Sequence, residues 1–268
     1  MMRTERTRSR QRGFTLIEAV MTIVLTGIVI TIVSVFIVPA TDAYFASNDR
    51  AQLGEQADTA LRRISRDLSG ALPNSVRVKG NSLELIPVSG AARYATAGAA
   101  ALQFGVAPIS NFSIVGPPLA ISHASQKLAW YNLGADTPDA DAYAGDNVRV
   151  SGNAAGNAVN IGVAGAALSN ALQSPPYRVY AIEPPVSYTC NIAAGTLTRY
   201  SGYAATASQA DPPAGTAAVL ARNVTACSFS YSTGAATARY ALASLQISLT
   251  RYGETVSLYH TVHVDNLP

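Results

Sequence analysis

The chain has 268 residues, of which 49% are hydrophobic and only 13% charged, against roughly 25% charged residues in average soluble domains. Its 20 glycines and 14 prolines are an ordinary share, which excludes collagen-like and low-complexity chains, and the apolar content excludes wholesale disorder. The formal net charge is +3, but residues 1–13 alone hold five arginines against one acid. The remaining residues carry 14 basic and 15 acidic side chains, a balance that excludes the basic face of a general nucleic-acid-binding protein.

Residues 14–38 form one apolar run, FTLIEAVMTIVLTGIVITIVSVFIV, whose single charge is Glu18. As a helix these 25 residues are about 37 Å long, enough to cross a bilayer core of roughly 30 Å. The arginines before the run predict a cytoplasmic N-terminus, with the rest of the chain across the inner membrane in the periplasm. A secretory signal peptide has the same charge order, but its apolar region is typically about 7–15 residues and ends at a small-residue cleavage site. Because this run is longer and lacks that site, we predict a single membrane-spanning helix over 14–40.

Glu18 is unusual because it places a carboxylate inside the apolar run. A carboxylate deep in a membrane span costs on the order of 3 kcal/mol on insertion scales, and such residues are functional by default. The alternative is a tolerated carboxylate near the interface, since Glu18 lies only one turn into the run. We favour a functional role, because a partner cation lowers the cost of a membrane carboxylate.

Residues 12–18, RGFTLIE, resemble the prepilin cleavage motif of type IV pilins and type II secretion pseudopilins. The resemblance implies that residues 1–13 are a leader, which a prepilin peptidase removes after Gly13, and that Phe14 is then N-methylated. It also implies that Glu18 assists methylation and pairs with the Phe14 amine of a neighbouring subunit. The expected partners are other pilin and minor pilin subunits, through the N-terminal helix, together with the prepilin peptidase and the inner-membrane assembly platform.

After Pro39 the sequence becomes polar, and residues 41–72 predict an amphipathic continuation of the helix. Two oppositely charged pairs, Asp58–Arg62 and Arg63–Asp67, have the i,i+4 spacing that modestly supports a helix, and Gly70 and Pro73 predict its end. Apolar residues recur at spacings of three and four, which predicts a buried stripe; they are Leu53, Ala57, Ala60, Leu61, Ile64 and Leu68.

From residue 73 to the C-terminus the apolar pattern changes to period two, which predicts a β-rich globular domain. We predict a hairpin over 76–86 around Gly80-Asn81, a strand over 224–231, and a C-terminal hairpin that turns at Tyr252-Gly253. Residues 89–110 and 151–172 are rich in Ala, Gly, Ser and Asn, and we interpret them as long loops. The predicted fold class is α+β: a long N-terminal helix followed by an antiparallel β-sheet domain, as in pilins.

The two cysteines, Cys190 and Cys227, are too far apart in sequence for a compact CxxC redox or zinc motif. An even cysteine count in an exported chain suggests one disulfide. Two unpaired buried thiols are the alternative, and they would be favoured if the chain were cytosolic.

The sequence contains no motif of an enzyme active site, and we predict no catalytic activity and no cofactor-binding site. Of the three histidines, His123, His260 and His263, the last two lie on opposite faces of a strand and cannot chelate together. His260 shares its face with Leu258 and Val262, so we interpret it as a core histidine. Residues 136–147 hold oxygen ligands of the type that calcium uses, without the EF-hand spacing, and a solvated loop is the favoured interpretation; these ligands are Asp136, Asp139, Asp141 and Asp146.

Residues 177–231 and the C-terminal YHTVHVDNLP are similar to the larger minor pilins of the PilW/PulJ-like group, and most of all to those of the mannose-sensitive haemagglutinin (MSHA) pilus. This resemblance implies a structural subunit that takes part in pilus biogenesis, in a tip or initiation complex. Two alternatives stay open, a type II secretion pseudopilin of the J type and an adhesin module displayed at the pilus tip. The adhesin alternative requires an exposed aromatic or acidic patch in residues 89–172.

Overall fold

A computed structural model describes residues 13–109, 111–232 and 240–268. The predicted leader therefore lies outside the described residues, apart from Gly13. The chain divides into two compact units, Met1–Asp49 and Arg50–Pro268. The first is helical throughout its described length after Thr15, and the second contains all of the strands.

The helical segments are α1 (Leu16–Ile32), a π-helical turn (Val33–Ile37) and α2 (Val38–Ser69). Proline has no N–H to donate, and its ring clashes with the carbonyl four residues earlier. Pro39 nevertheless lies inside the helix, directly after the π-turn, where the Val38 N–H donates to the carbonyl of Val33, five residues back. The wider turn of the π-helix accommodates Pro39 within the helix. Pro39 therefore marks the change from apolar to polar sequence but does not end the helix.

The predicted apolar stripe on α2 is confirmed, because all six of its residues are buried. The charged pairs also form: the Arg62 Nε lies 2.6 Å from an Asp58 carboxylate oxygen, and the Arg63 Nε lies 3.5 Å from one of Asp67. The helix ends at Ser69, and the Gly70 N–H donates to the Arg66 carbonyl. The helix end is therefore at the glycine that the sequence indicates.

The second unit contains seventeen strands among its described residues. In chain order they are β1 (Arg77–Lys79), β2 (Ser82–Leu85), β3 (Val88–Tyr94), β4 (Phe112–Val115), β5 (Leu119–Ile121), β6 (Lys127–Trp130), β7 (Val148–Ser151), β8 (Gly156–Ala158), β9 (Asn160–Ile161), β10 (Val163–Ala164), β11 (Arg178–Ile182), β12 (Val186–Asn191), β13 (Thr196–Ser201), β14 (Thr216–Arg222), β15 (Val224–Ser232), β16 (Tyr240–Arg251) and β17 (Glu254–Asp265).

All of the strand pairs are antiparallel, which confirms the predicted α+β fold class. The strand orders are β1-β2-β12-β13-β14, β10-β7-β6-β11-β3-β4-β9, β15-β16-β17 and β5-β8. In the first sheet Leu85 of β2 pairs with Val186 of β12, so the chain leaves and re-enters that sheet at one point. Residues 86–185 thus form an inserted module, which holds every strand from β3 to β11.

The three predicted β elements are confirmed as β1–β2, β15 and β16–β17. The prediction of loops over 89–110 and 151–172 was wrong in part. Residues 88–94 form β3, which lies between β11 and β4, and residues 156–164 contribute three short strands. In β3 the alternation of exposed and half-buried positions falls on Ser, Gly and Ala, which give no hydrophobic signal. Pairing with β11, far away in sequence, stabilises this strand.

Two main hydrophobic cores form in the second unit. The first draws on α2 and on the five-stranded and three-stranded sheets, with Leu53, Tyr188 and Leu245 among its buried members. The second takes all of its buried residues from 94–181 and centres on Trp130 and Phe112, whose rings meet edge to face. The inserted module therefore has a core of its own.

Asp67 joins α2 to the five-stranded sheet. Its carboxylate accepts a hydrogen bond from the Tyr188 hydroxyl at 2.5 Å and one from the Arg199 Nε at 3.2 Å. Burial is the main cause that raises the pKa of Tyr188, and the Asp67 charge adds to it. The helix is thus held to the sheet by directed polar contacts as well as by its apolar stripe.

Cys190 and Cys227 form a disulfide in the structure, with Cα atoms 6.5 Å apart. Cys190 is buried in β12 and Cys227 is half-buried in β15, so the bond connects the five-stranded sheet to the three-stranded sheet. It closes a loop between positions 37 residues apart.

We expect replacement of both cysteines by serine to lower the free energy of unfolding by about 3–4 kcal/mol, because an open loop restores conformational freedom to the unfolded chain. Denaturant unfolding of the exported protein, with and without reductant, measures the effect. Reduction should destabilise the wild type and leave the double variant unchanged. Free thiols in protein isolated from the periplasm would contradict the prediction.

Candidate functional site

The helix begins at a specific cap. Thr15 is its N-cap, and the Thr15 hydroxyl oxygen accepts a hydrogen bond from the Glu18 backbone N–H at 3.3 Å. Glu18 lies in the first turn, where the positive end of the helix dipole favours a carboxylate. Sequence reasoning missed the role of Thr15. The T-x-x-E spacing of residues 15–18 is the signal that predicts it.

The three predicted processing residues lie together at this helix start. Gly13 and Phe14 directly precede the Thr15 cap, and Glu18 follows it by three residues. A Cβ atom added at Gly13 would meet no other atom within 4 Å, and Phe14 is 70% exposed. Both residues are thus uncovered by the described part of the chain, and Glu18 is exposed one turn away.

The surface of α1 is apolar and uncovered. None of its residues is buried, and Leu16, at the first position, is 86% exposed. Within the described residues one helix, Leu16–Ser69, is long and apolar enough to cross a membrane, with a mean hydropathy of 2.7 in its most apolar window. Soluble proteins rarely expose contiguous apolar patches larger than a few hundred Å². Lipid or neighbouring helices are therefore the expected cover for this surface.

The four candidate calcium ligands do not converge. The Asp141 carboxylate accepts hydrogen bonds from the Tyr143 and Asp136 backbone N–H groups, at 2.8 and 3.3 Å. The Asp139 carboxylate instead accepts one from the Ser169 hydroxyl at 2.9 Å. Throughout ranges 13–109, 111–232 and 240–268, no three His, Cys, Asp or Glu side chains are grouped to hold a metal ion. Asp141 is therefore bonded within the loop and Asp139 to Ser169 outside it, and Asp146 lies beside Arg149.

The interpretation of His260 as a core residue was wrong. His260 is exposed, as are His123 and His263. It pairs with the buried Leu245 of β16, but β17 is the outer strand of its sheet. Period-two alternation places His260 on the face of Val262 and Val264, which are buried, but that face is not covered at His260 itself.

Comparison with known protein families identifies one motif, at the N-terminus of the chain. Residues 8–34 match the family model of the prokaryotic N-terminal methylation motif. The comparisons with curated proteins and with solved structures find no match. The matched segment includes Gly13, Phe14 and Glu18 and extends through the exposed apolar helix α1. An apolar N-terminal helix of this kind is typical of a pilin membrane anchor, and the chain carries the N-terminal methylation motif that supports a type IV pilin-like or pseudopilin protein.

Proposed function

We propose that this chain is a minor pilin-like structural subunit, without catalytic activity, which is anchored in the bacterial inner membrane and enters a type IV pilus or pseudopilus. One observation carries the proposal: the methylation motif at residues 8–34 coincides with a capped, fully exposed apolar helix. A helix with no covered face needs lipid before assembly and neighbouring helices after it. The arginines at the N-terminus favour a cytoplasmic leader and a periplasmic second unit.

Processing tests the proposal first. In cells with a prepilin peptidase, we expect a mature chain that begins at N-methylated Phe14, because Gly13 and Phe14 stand open before the helix cap. Its intact mass should equal that of residues 14–268 plus one methyl group. Gly13→Leu should retain the leader. Gly27→Ala, at a glycine in the same helix that is open on all sides, should be processed like wild type. Wild-type protein that keeps its leader beside an active peptidase would contradict the proposal.

The finer assignment is a minor pilin of the MSHA type, similar to MshO, in a tip or initiation complex. The inserted module supports it, because residues 86–185 make the second unit large and a bulky subunit fits best where few identical neighbours crowd it. Immunoblots of sheared pili should then find this chain as a small fraction of the fibre, concentrated at one end. Even labelling along the shaft would exclude the tip position, and detection only in a secretion pseudopilus would support the J-type alternative. Neither arrangement requires nucleic acid as a partner.

An adhesin role is the second candidate, and the independent core of the inserted module favours it. Because Leu85 and Val186 are paired neighbours, a two-residue turn can replace residues 87–184 and keep the five-stranded sheet connected. If the module binds a surface ligand, this variant should still enter fibres while adhesion is lost. Loss of fibre entry would instead assign the module to assembly.

A further inference from the structure

A cavity of about 270 Å³ opens where the inserted module meets the loop that follows β13. This volume is close to the lower end of the range for small-molecule sites. Its floor is apolar and includes Ile86, Val148 and Ile182. Tyr143 and Tyr203 both belong to its lining, and we call it the Tyr143–Tyr203 pocket.

The hydroxyls of both tyrosines are hydrogen-bonded to groups outside the pocket lining. The Tyr143 hydroxyl donates to the Ser75 carbonyl at 2.8 Å, and the Tyr203 hydroxyl donates to the Glu84 carboxylate at 2.8 Å. The Arg77 guanidinium lies 3.6 Å from the Tyr143 ring centroid. Because their hydroxyls are already bonded outside the cavity, the rings contribute apolar surface to it. The pocket is preformed, so a ligand does not have to order these side chains on binding.

The rim of the pocket carries one cation with unused hydrogen-bonding capacity. The Glu183 carboxylate already accepts from the Ser122 hydroxyl at 2.7 Å and from the Gln126 side-chain amide at 3.0 Å, and His123 lies 3.5 Å from its other oxygen. Lys127 is exposed at the same rim, and none of its contacts within the described residues is a hydrogen bond or ion pair from its ammonium group. The rim formed by the described residues thus carries one carboxylate, whose oxygens are already engaged, and one lysine whose ammonium group is free to bind an anionic group.

We propose that the Tyr143–Tyr203 pocket binds a compact apolar group that carries a carboxylate, with the apolar part between the two tyrosines and the carboxylate on Lys127. A small arylalkanoic acid and the C-terminal residue of a peptide share this chemistry. Apolar lining excludes water from the buried part of the ligand, and the charge-assisted contact at the rim orients it. This site is separate from the N-terminal helix start and does not depend on the proposed role in pili.

Methyl NMR of the full-length protein in detergent micelles tests the site, with alanine methyl labelling and 3-phenylpropionate as the probe. Saturable shifts should be confined to Ala142, Ala144 and Ala205, which line the pocket. The neutral isostere 3-phenylpropanamide should bind about twofold more weakly, as expected for loss of an ion pair at an exposed rim. Shifts spread over helix alanines such as Ala19 would show partition into the micelle and would overturn the proposal. The tripeptide Gly-Gly-Phe distinguishes the two sources, because tighter binding of the peptide would assign the pocket to a chain terminus.

Matched variants separate the two parts of the site. Ala205→Phe should fill the cavity and abolish binding, whereas Ala204→Phe, at an exposed neighbour outside the lining, should bind like wild type. Lys127→Met should remove the preference for the acid over the amide, and Lys127→Arg should keep it. Unchanged binding in Ala205→Phe, or an acid preference that survives in Lys127→Met, would overturn the proposal.

Discussion

Glu18→Val should abolish entry of the subunit into fibres while its membrane insertion and its fold remain intact. Insertion becomes easier when a carboxylate leaves the span, and the buried cores lie wholly in residues 53–264. We expect this loss because, in the pairing that the prepilin motif implies, the Phe14 amine of a neighbouring subunit would be left without its counter-charge. Breaking a desolvated charge pair costs about 2–5 kcal/mol, so incorporation should fall more than tenfold. Quantitative immunoblots of sheared pili and of membranes measure the two pools.

Thr22→Val is the matched control, because it also removes a polar group one turn further along the same helix. The Thr22 hydroxyl donates only to the Ala19 carbonyl within the helix, at 2.9 Å, so this variant should assemble normally. Glu18→Gln keeps the size and removes the charge, and it should fail like Glu18→Val. Normal piliation and normal incorporation in either Glu18 variant would remove the assembly role from this residue.

Glu84→Ala should cause a large loss of stability in the second unit. Glu84 is 1% exposed and accepts from the Arg77 Nε at 2.5 Å and from the Tyr203 hydroxyl at 2.8 Å. Removal of the carboxylate leaves the Arg77 charge, whose side chain is only 13% exposed, without its ion-pair partner, and breaking a buried pair costs about 3–5 kcal/mol. Arg77 also donates to the carbonyls of Thr206 and Ala207, so the loop that follows β13 should loosen as well. Denaturant unfolding measures the first effect, and proteolysis near residue 206 measures the second.

Asp58→Ala provides the control for Glu84, because Asp58 belongs to an ion pair that is open to solvent. Its partner Arg62 is 72% exposed in its side chain, and pairs of this kind contribute about 0.3–0.5 kcal/mol. The double variant Arg77→Met with Glu84→Leu should recover most of the stability, since it leaves no buried charge unpaired. Equal losses in Glu84→Ala and Asp58→Ala would show that the buried pair contributes no more than a surface pair.

Local patterns predicted the elements that depend on neighbours in sequence. The helix over 16–69 follows from a continuous apolar run and from the stripe Leu53 to Leu68, because residues three and four apart share a helix face. The hairpins β1–β2 and β16–β17 follow from period-two alternation around Gly80-Asn81 and Tyr252-Gly253. The predicted processing residues Gly13, Phe14 and Glu18 lie close enough in sequence for one short motif to indicate them.

Tertiary structure alone decided the features whose partners are distant in sequence. Strand β3 has Ser, Gly and Ala where a strand signal needs apolar side chains, and β11 supplies its pairing from about 90 positions away. His260 alternates with the buried Val262 and Val264 of β17, yet the packed chain leaves His260 exposed. Glu84 lies 119 positions from Tyr203, so no local pattern indicates a buried carboxylate there. Sequence periodicity determines which face of an element is apolar. Only the packed chain determines what covers that face and which buried charges form ion pairs.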